Sequence, residues 1–149
     1  MAQTNLPEDF KDFLRLLNSH KVEYLLIGGF AVGYHGYPRS TGDMDIWIAM
    51  NLANAKRLVP VLLEFGFDFP EIKEELFLQK NKVIRMGNEP IRIELLTTIS
   101  GVDFDVCYEN RIEDEIDGIK IKIIHQNDLK KNKRISGRPK DLDDLQHLS

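Results

Sequence analysis

Apolar and polar positions along this chain switch between a spacing near 3.6 residues and a spacing of two, and the switches mark a succession of helices and strands. Over residues 7–19, Phe10, Phe13, Leu14, Leu16 and Leu17 recur at helical spacing, with Pro7 in the first turn and Glu8 and Asp9 at the dipole-favoured start. A first helix is predicted there. Residues 22–27 form a short β-favouring run ending in Gly28-Gly29, and residues 30–34 read as a short helix directly after the glycines. Residues 37–42 have turn composition, and residues 43–50 (DMDIWIAM) alternate before becoming fully apolar, as a strand entering a core does. Residues 52–65 carry Leu52, Ala55, Leu58, Val59, Leu62 and Leu63 on one face, with Gly66 as the stop and Pro60 predicting a bend. Beyond it, residues 71–77 suggest a short helix, and residues 82–86 and 91–97 a hairpin across Gly87-Asn88-Glu89-Pro90. Residues 119–124 alternate apolar residues with lysine, and two short helices over 126–134 and 139–148 close the series. The expected fold class is α+β (α/β), a small mixed β-sheet flanked by helices.

Composition narrows this picture. With 149 residues, 42% hydrophobic and 30% charged, the expectation is one domain over 1–149 with an ordinary core, and disordered and collagenous classes are excluded. The lone Cys107 cannot form an internal disulfide and no Cys/His cluster stands at zinc spacing, which fits a reducing, cytoplasmic compartment. The N-terminus lacks the basic start and apolar run of a signal peptide, and the uncharged stretch over residues 24–36 is too short and too rich in glycine to span a bilayer, so no membrane association is expected. A net charge of −4 argues against a uniformly basic nucleic-acid binder. That charge is unevenly distributed: residues 119–140 carry eight basic residues against Asp128 alone, and the remaining 127 residues sum to −11. A basic run of this kind is either a solvated face or the place where an anionic ligand meets the protein.

Three features carry candidate chemistry. Gly28-Gly29 lies between a strand and a helix, where missing Cβ atoms let an anion approach the backbone, although two glycines after a strand are more often a tight turn. In Asp43-Met44-Asp45 the two carboxylates fall on one face of a strand, and such close like charges call for a cation; Mg²⁺, held by one or two carboxylates plus substrate phosphates, fits, and the alternative is a turn cap beside a solvated acid. Glu94 sits in an apolar strand and needs a partner: a metal, if its strand lies beside that of Asp45, or a salt bridge to Arg92 or Arg39. Other residues have plainer readings. His35 is expected to be a hydrogen-bonded structural residue, Trp47 and Cys107 packing residues, and Asp103 and Asp105 part of a helix start or turn.

The series Gly28-Gly29-Phe30-Ala31, His35-Gly36, Arg39, Thr41, Asp43-Met44-Asp45, Ile93-Glu94-Leu95-Leu96, Ser100-Gly101-Val102-Asp103-Phe104, Lys130, Gly137-Arg138-Pro139-Lys140-Asp141 and Asp144 resembles the nucleotidyltransferase superfamily of polymerase-β type. Within it, the branch of AbiEii/AbiGii toxin-type and minimal nucleotidyltransferases looks nearest. The resemblance implies a nucleotidyltransferase-like fold and Mg²⁺-dependent transfer of a nucleoside monophosphate from a nucleoside triphosphate to a hydroxyl of an RNA or protein acceptor, with Mn²⁺ as the alternative ion. It implies that Asp43, Asp45 and Glu94 are catalytic and metal-binding, and that Gly28, Gly29, Arg39, Thr41, Lys130, Lys133 and Arg138 bind the nucleotide. A toxin–antitoxin partner protein and a homodimer are arrangements it leaves open. Two positions depart from the pattern: Gly29 stands where a serine is common, and Glu94 where an aspartate is usual, which leaves a catalytically silent nucleotide-binding or partner-binding module as the other reading.

Overall fold

A computed structural model describes residues 6–37, 43–87 and 92–148. Its centre is a six-stranded mixed sheet of β1 (Tyr24–Ile27), β2 (Asp43–Ile48), β3 (Val83–Met86), β4 (Arg92–Leu96), β5 (Ile112–Ile116) and β6 (Ile119–Ile123) in the order β3-β4-β2-β1-β6-β5. The pairs β2–β4 and β1–β6 are parallel, and the other three are antiparallel. Among the described residues six α-helices accompany it: α1 (Glu8–Ser19), α2 (Gly28–Tyr34), α3 (Leu52–Phe65), α4 (Phe104–Glu109), α5 (Gln126–Ser136) and α6 (Pro139–His147). Helices α1 and α3 pack on each other, α2 packs on β1 and β2, and α5 pairs with α6. This is the α+β architecture expected from the sequence.

The core follows from alternation. Met44, Ile46 and Ile48 of β2 and Ile93 and Leu95 of β4 are buried, whereas Asp43, Asp45, Arg92, Glu94 and Leu96, at the intervening positions, are only partly so. Side chains at those intervening positions share one face, and that face is covered unevenly. At one end of β2, Trp47 is buried edge-on against Phe104 of α4 (5.1 Å, 83°) and donates to the Thr97 carbonyl at 3.3 Å. At the other end the acids are half-buried.

Local rules set the element ends. Asn51 caps α3 by accepting from the Asn54 N–H, Asp103 caps α4 by accepting from the Val106 N–H, and Gly66 and Gly137 end α3 and α5 in the left-handed conformation that glycine adopts without strain. Helix α3 continues through Pro60. The short helix expected over residues 71–77 is a 3-10 turn at Glu74–Leu78. No helix among the described residues is long and apolar enough to cross a membrane.

Strand β5 has no counterpart among the elements that the sequence predicts. Its sequence IEDEI is poor in β-formers, but two of its three acids meet a lysine, with Glu113 opposite Lys122 and Glu115 opposite Lys120, while Asp114 is opposite Ile121 and accepts from the Tyr34 hydroxyl. Such cross-strand charge pairs stabilise an edge strand that propensity alone disfavours.

Candidate active site

The register of four strands builds the site. Ile27 of β1 pairs with Asp45 of β2, Asp45 with Glu94 of β4, and Glu94 with Arg85 of β3, so one row crosses the sheet from the glycine turn through two acids to an arginine. Asp43 pairs with Arg92 in the neighbouring row. Gly28 follows Ile27 with φ +65°, and a Cβ placed on it would run into the carboxylate of Asp45. The close approach of turn to acid therefore requires glycine at position 28 on two counts, conformation and space.

Ile27, Gly28, Gly29, Asp43, Asp45 and Glu94, but neither Arg85 nor Arg92, line one cleft of about 430 Å³, together with Leu96, Ile99, Ser100, Asn132, Lys133, Ser136, Arg138 and Lys140. The sheet supplies the acids, and α5, α6 and their connection supply the bases. A larger cavity of about 800 Å³, lined by Lys21, Arg57, Tyr108 and the β5–β6 hairpin, contains none of the three candidate acids, and its charged side chains are balanced in sign. The three candidate acids therefore meet in the smaller cleft.

Asp45 is the electrostatic centre. Its Oδ1 is buried without a hydrogen-bond partner. Burial, then the charges of Glu94 and Asp43 and a hydrogen bond with Glu94, push its pKa up to about 6, while Lys140 pulls it down. Its neighbours are each held by an arginine: Arg92 Nε donates to Asp43 Oδ1 at 3.1 Å, and Arg85 Nε to Glu94 Oε2 at 3.0 Å. The alternative of a salt bridge from Glu94 to Arg92 is replaced by one with Arg85, because Arg85 is directly opposite Glu94 and Arg92 directly opposite Asp43. With two acids drawn onto arginines, no group of three His, Cys, Asp or Glu side chains among the described residues closes into a ready-made metal cage. An orphaned carboxylate oxygen, two further carboxylates on the same face and a neighbour without a side chain nonetheless form an all-oxygen donor set suited to a hard divalent cation.

The basic side of the cleft differs from expectation. Lys133 lines it but is only 5% exposed, with Nζ at 3.2 Å from Asp141 Oδ1 and 3.0 Å from Asp144 Oδ2, so its charge is neutralised inside the α5–α6 junction rather than presented to a ligand. Arg138 donates from Nε and Nη2 to Asp141 (2.8 and 3.3 Å), and Ser136 Oγ donates to the same carboxylate at 2.7 Å. Burial alone would raise the Asp141 pKa; the hydrogen bonds from Arg138, Ser136 and Lys133 outweigh it and hold it well below the usual carboxylate range. Lys130 lies on α5 outside the cleft lining, which puts it apart from the role implied for it. Lys140, absent from the expected nucleotide-binding set, lines the cleft and faces Asp45 electrostatically. Its signal in the sequence is its position two residues after Arg138, with Pro139 opening α6 between them. Arg39 and Thr41 fall outside the described residues.

The plainer readings agree with the geometry. His35 Nε2 is 2.7 Å from the Ile124 carbonyl, and burial lowers its pKa, so the ring is a neutral donor tying α2 to β6. Cys107 is buried, with its thiol pushed up to about 12, chiefly by burial.

Comparison with solved structures decides the architecture. The fold is that of nucleotidyltransferase-like proteins. An antigenic nucleotidyltransferase-like protein from Paracoccidioides brasiliensis is similar at TM-score 0.56 and 20% identity, over 93% of this chain and 72% of that one. A candidate nucleotidyltransferase from Thermotoga maritima is similar at TM-score 0.61 and 15% identity, over 93% of this chain and 89% of that one. No family model matches the sequence, and no curated protein matches it.

Proposed function

We propose that the protein is a nucleotidyltransferase that moves a nucleoside monophosphate from a nucleoside triphosphate to an acceptor hydroxyl. The observation that carries this reading is the register-built row in which Gly28, Asp45 and Glu94 meet in one cleft with Asp43, Arg138 and Lys140. The shared fold supports it.

The residues divide the work by position. Gly28 and Gly29, without side chains, let the triphosphate come against the backbone, and Arg138 and Lys140 offset the charge of the departing pyrophosphate. Asp43, Asp45 and Glu94 would hold Mg²⁺, or Mn²⁺ in its place, and the bound ion supplies Lewis-acid polarisation of the phosphoryl oxygens and charge neutralisation. An oxygen–phosphorus bond forms between the acceptor hydroxyl and the α-phosphorus, the bond to the β-phosphate oxygen breaks, and pyrophosphate leaves with the electron pair. The hydroxyl proton passes to a carboxylate of Glu94 or Asp45. A glutamate at position 94 reaches one methylene farther than aspartate, which suits a carboxylate that must swing off Arg85 to act.

A second reading, a nucleotide-binding fold without chemistry, is favoured by the two arginine pairs that engage Asp43 and Glu94. Incubation with α-labelled triphosphates, Mg²⁺ and RNA or protein acceptors separates the two. Label transfer that disappears in Asp45→Asn supports the enzyme; tight nucleotide binding with neither transfer nor pyrophosphate release supports the silent module. A place beside a toxin–antitoxin partner rests on the sequence resemblance alone and is part of this proposal only to that extent.

A further inference from the structure

Arg138 lines the cleft with 71% of its side chain exposed, yet the side chain is anchored. Its Nε donates to Asp141 Oδ2 at 2.8 Å and its Nη2 to Asp141 Oδ1 at 3.3 Å, so the flat guanidinium lies edge-on against both oxygens of one carboxylate. That engages the Nε–H and one N–H of Nη2, and both N–H groups of Nη1 stay available to a ligand. A loose arginine at this place would sample many rotamers, and an anion would have to order it on binding.

The carboxylate that holds Arg138 is itself held. Its side chain is 1% exposed, and it accepts from Ser136 Oγ at 2.7 Å and from Lys133 Nζ at 3.2 Å as well as from Arg138. Each of its oxygens therefore accepts twice. Lys133 is bound on its other side by Asp144 at 3.0 Å, so the whole cluster is cross-braced inside the α5–α6 junction. The turn at Gly137 produces the convergence: Ser136 ends α5, Arg138 precedes Pro139 at the start of α6, and Asp141 in the first turn of α6 receives both. Hydrogen bonds and charge from Asp141 raise the Arg138 pKa, burial lowers it, and the charge of Asp45 raises it further, so the guanidinium fixed by one aspartate acts electrostatically on the other.

We propose that Asp141 is a positioning residue for anion binding in the cleft: it fixes the Arg138 guanidinium and leaves Nη1 free, so that a phosphate meets a preset donor instead of a mobile side chain. This rests on the reading given under Proposed function, which puts phosphates at Arg138, and adds the residue that sets Arg138 in place. Position and charge predict opposite signs here. Asp141→Asn removes a negative charge and takes one of two counter-charges from Lys133, and Coulomb attraction alone would then tighten the binding of an anion. Loss of the preset guanidinium weakens it.

Isothermal titration of the full chain with inorganic tripolyphosphate, without divalent ion, reads this apart from any activity. Asp141→Asn is expected to weaken binding about tenfold, as Arg138→Ala does, and the double variant to bind no more weakly than Arg138→Ala alone. Thermal melts establish whether Asp141→Asn folds, since it disturbs a buried ion pair. Nitrogen-15 NMR of the wild type supplies a second measurement that needs no folded variant of Asp141. The Arg138 Nε–H resonance, assigned by its absence in Arg138→Ala, should be protected from exchange in the free protein and stay in place when tripolyphosphate binds, while the Nη1 resonances shift. Tighter or unchanged binding in Asp141→Asn, additive losses in the double variant, or a freely exchanging Nε–H overturns the proposal and leaves the phosphates at Arg138 standing. No loss in Arg138→Ala, or no tripolyphosphate binding by the wild type, overturns it together with the phosphate placement given under Proposed function.

Discussion

At position 28 two constraints act on a single residue, since the backbone has φ +65° and the space a side chain would fill is occupied by Asp45. Gly28→Ala should therefore cost about 1–3 kcal/mol of stability, more than the few tenths of an unconstrained turn, and should weaken triphosphate binding by displacing the carboxylate; chemical denaturation and nucleotide titration measure the two. Asp45 makes an opposite prediction. With a folded-state pKa near 6 against an ordinary 3.8, the folded protein keeps the Asp45 proton over a range where the unfolded chain has lost it. Stability should then fall as pH rises from about 4 to about 6, by an amount on the order of 2–3 kcal/mol, and stay level above that. Asp45→Asn should flatten this limb and be more stable than wild type at pH 7 in the absence of divalent ions. A wild-type profile that rises between pH 4 and 6 by as much as that of the variant contradicts this account. Of these two residues, the sequence made the aspartate readable through its spacing to Asp43. It could not make readable the burial that orphans one of its oxygens, because that depends on the turn packed over it.

Among the elements, the junction of α5 and α6 holds its shape through buried charge. Lys133 joins Asp141 and Asp144 where both carboxylates are fully buried, and Asp141 in turn fixes Arg138. Lys133→Met takes the ammonium from both aspartates and should cost about 3–5 kcal/mol, read from the midpoint of urea unfolding. The sign of the pH effect is opposite to that at Asp45. The Asp141 pKa is depressed, so its contribution is present above the ordinary value of 3.8 and is lost as pH falls below it. The Lys133→Met variant should show a smaller acid limb, since Arg138 and Ser136 still donate to Asp141, with circular dichroism across pH 2–5 as the check. Periodicity identifies most of the helices and the central strands, since a strand such as β2 with buried alternate positions and helices such as α1 and α3 with apolar stripes are encoded locally. It misses β5, whose acids make sense only once Lys120 and Lys122 lie opposite them. It also assigns Lys133 to the ligand, because nothing local distinguishes a lysine that will be buried against two aspartates from one that will face solvent.

Across the whole molecule, the split of net charge into a basic segment and an acidic remainder proves to be two separate arrangements. Lys120 and Lys122 lie on the β5–β6 hairpin beside the larger cavity, whereas Arg138 and Lys140 turn to the carboxylate cleft, so residues 119–140 do not form one basic patch. The acids of the cleft come from β2 and β4, and only the sheet order makes them neighbours; the order β4-β2-β1 is not written in any local pattern, although the expectation that Glu94 lies beside Asp45 depends on it. If the proposed function holds, the nucleotide lies at one end of the sheet, and the arrangement predicts where ligand stabilisation will be lost. A nucleoside triphosphate with Mg²⁺ at about 100 times its dissociation constant should stabilise the wild-type protein by about 2.7 kcal/mol. The same concentrations should give a smaller shift in Arg138→Ala and Lys140→Ala, because each loses a cation facing the phosphates, and no Mg²⁺-dependent part of the shift in Asp45→Asn, because that part requires the carboxylate. Arg57→Glu, at the larger cavity, should retain the full shift. If Arg57→Glu loses it while Arg138→Ala and Asp45→Asn keep it, the nucleotide occupies the larger cavity, and the row from Ile27 to Arg85 is a feature of the fold rather than of its chemistry.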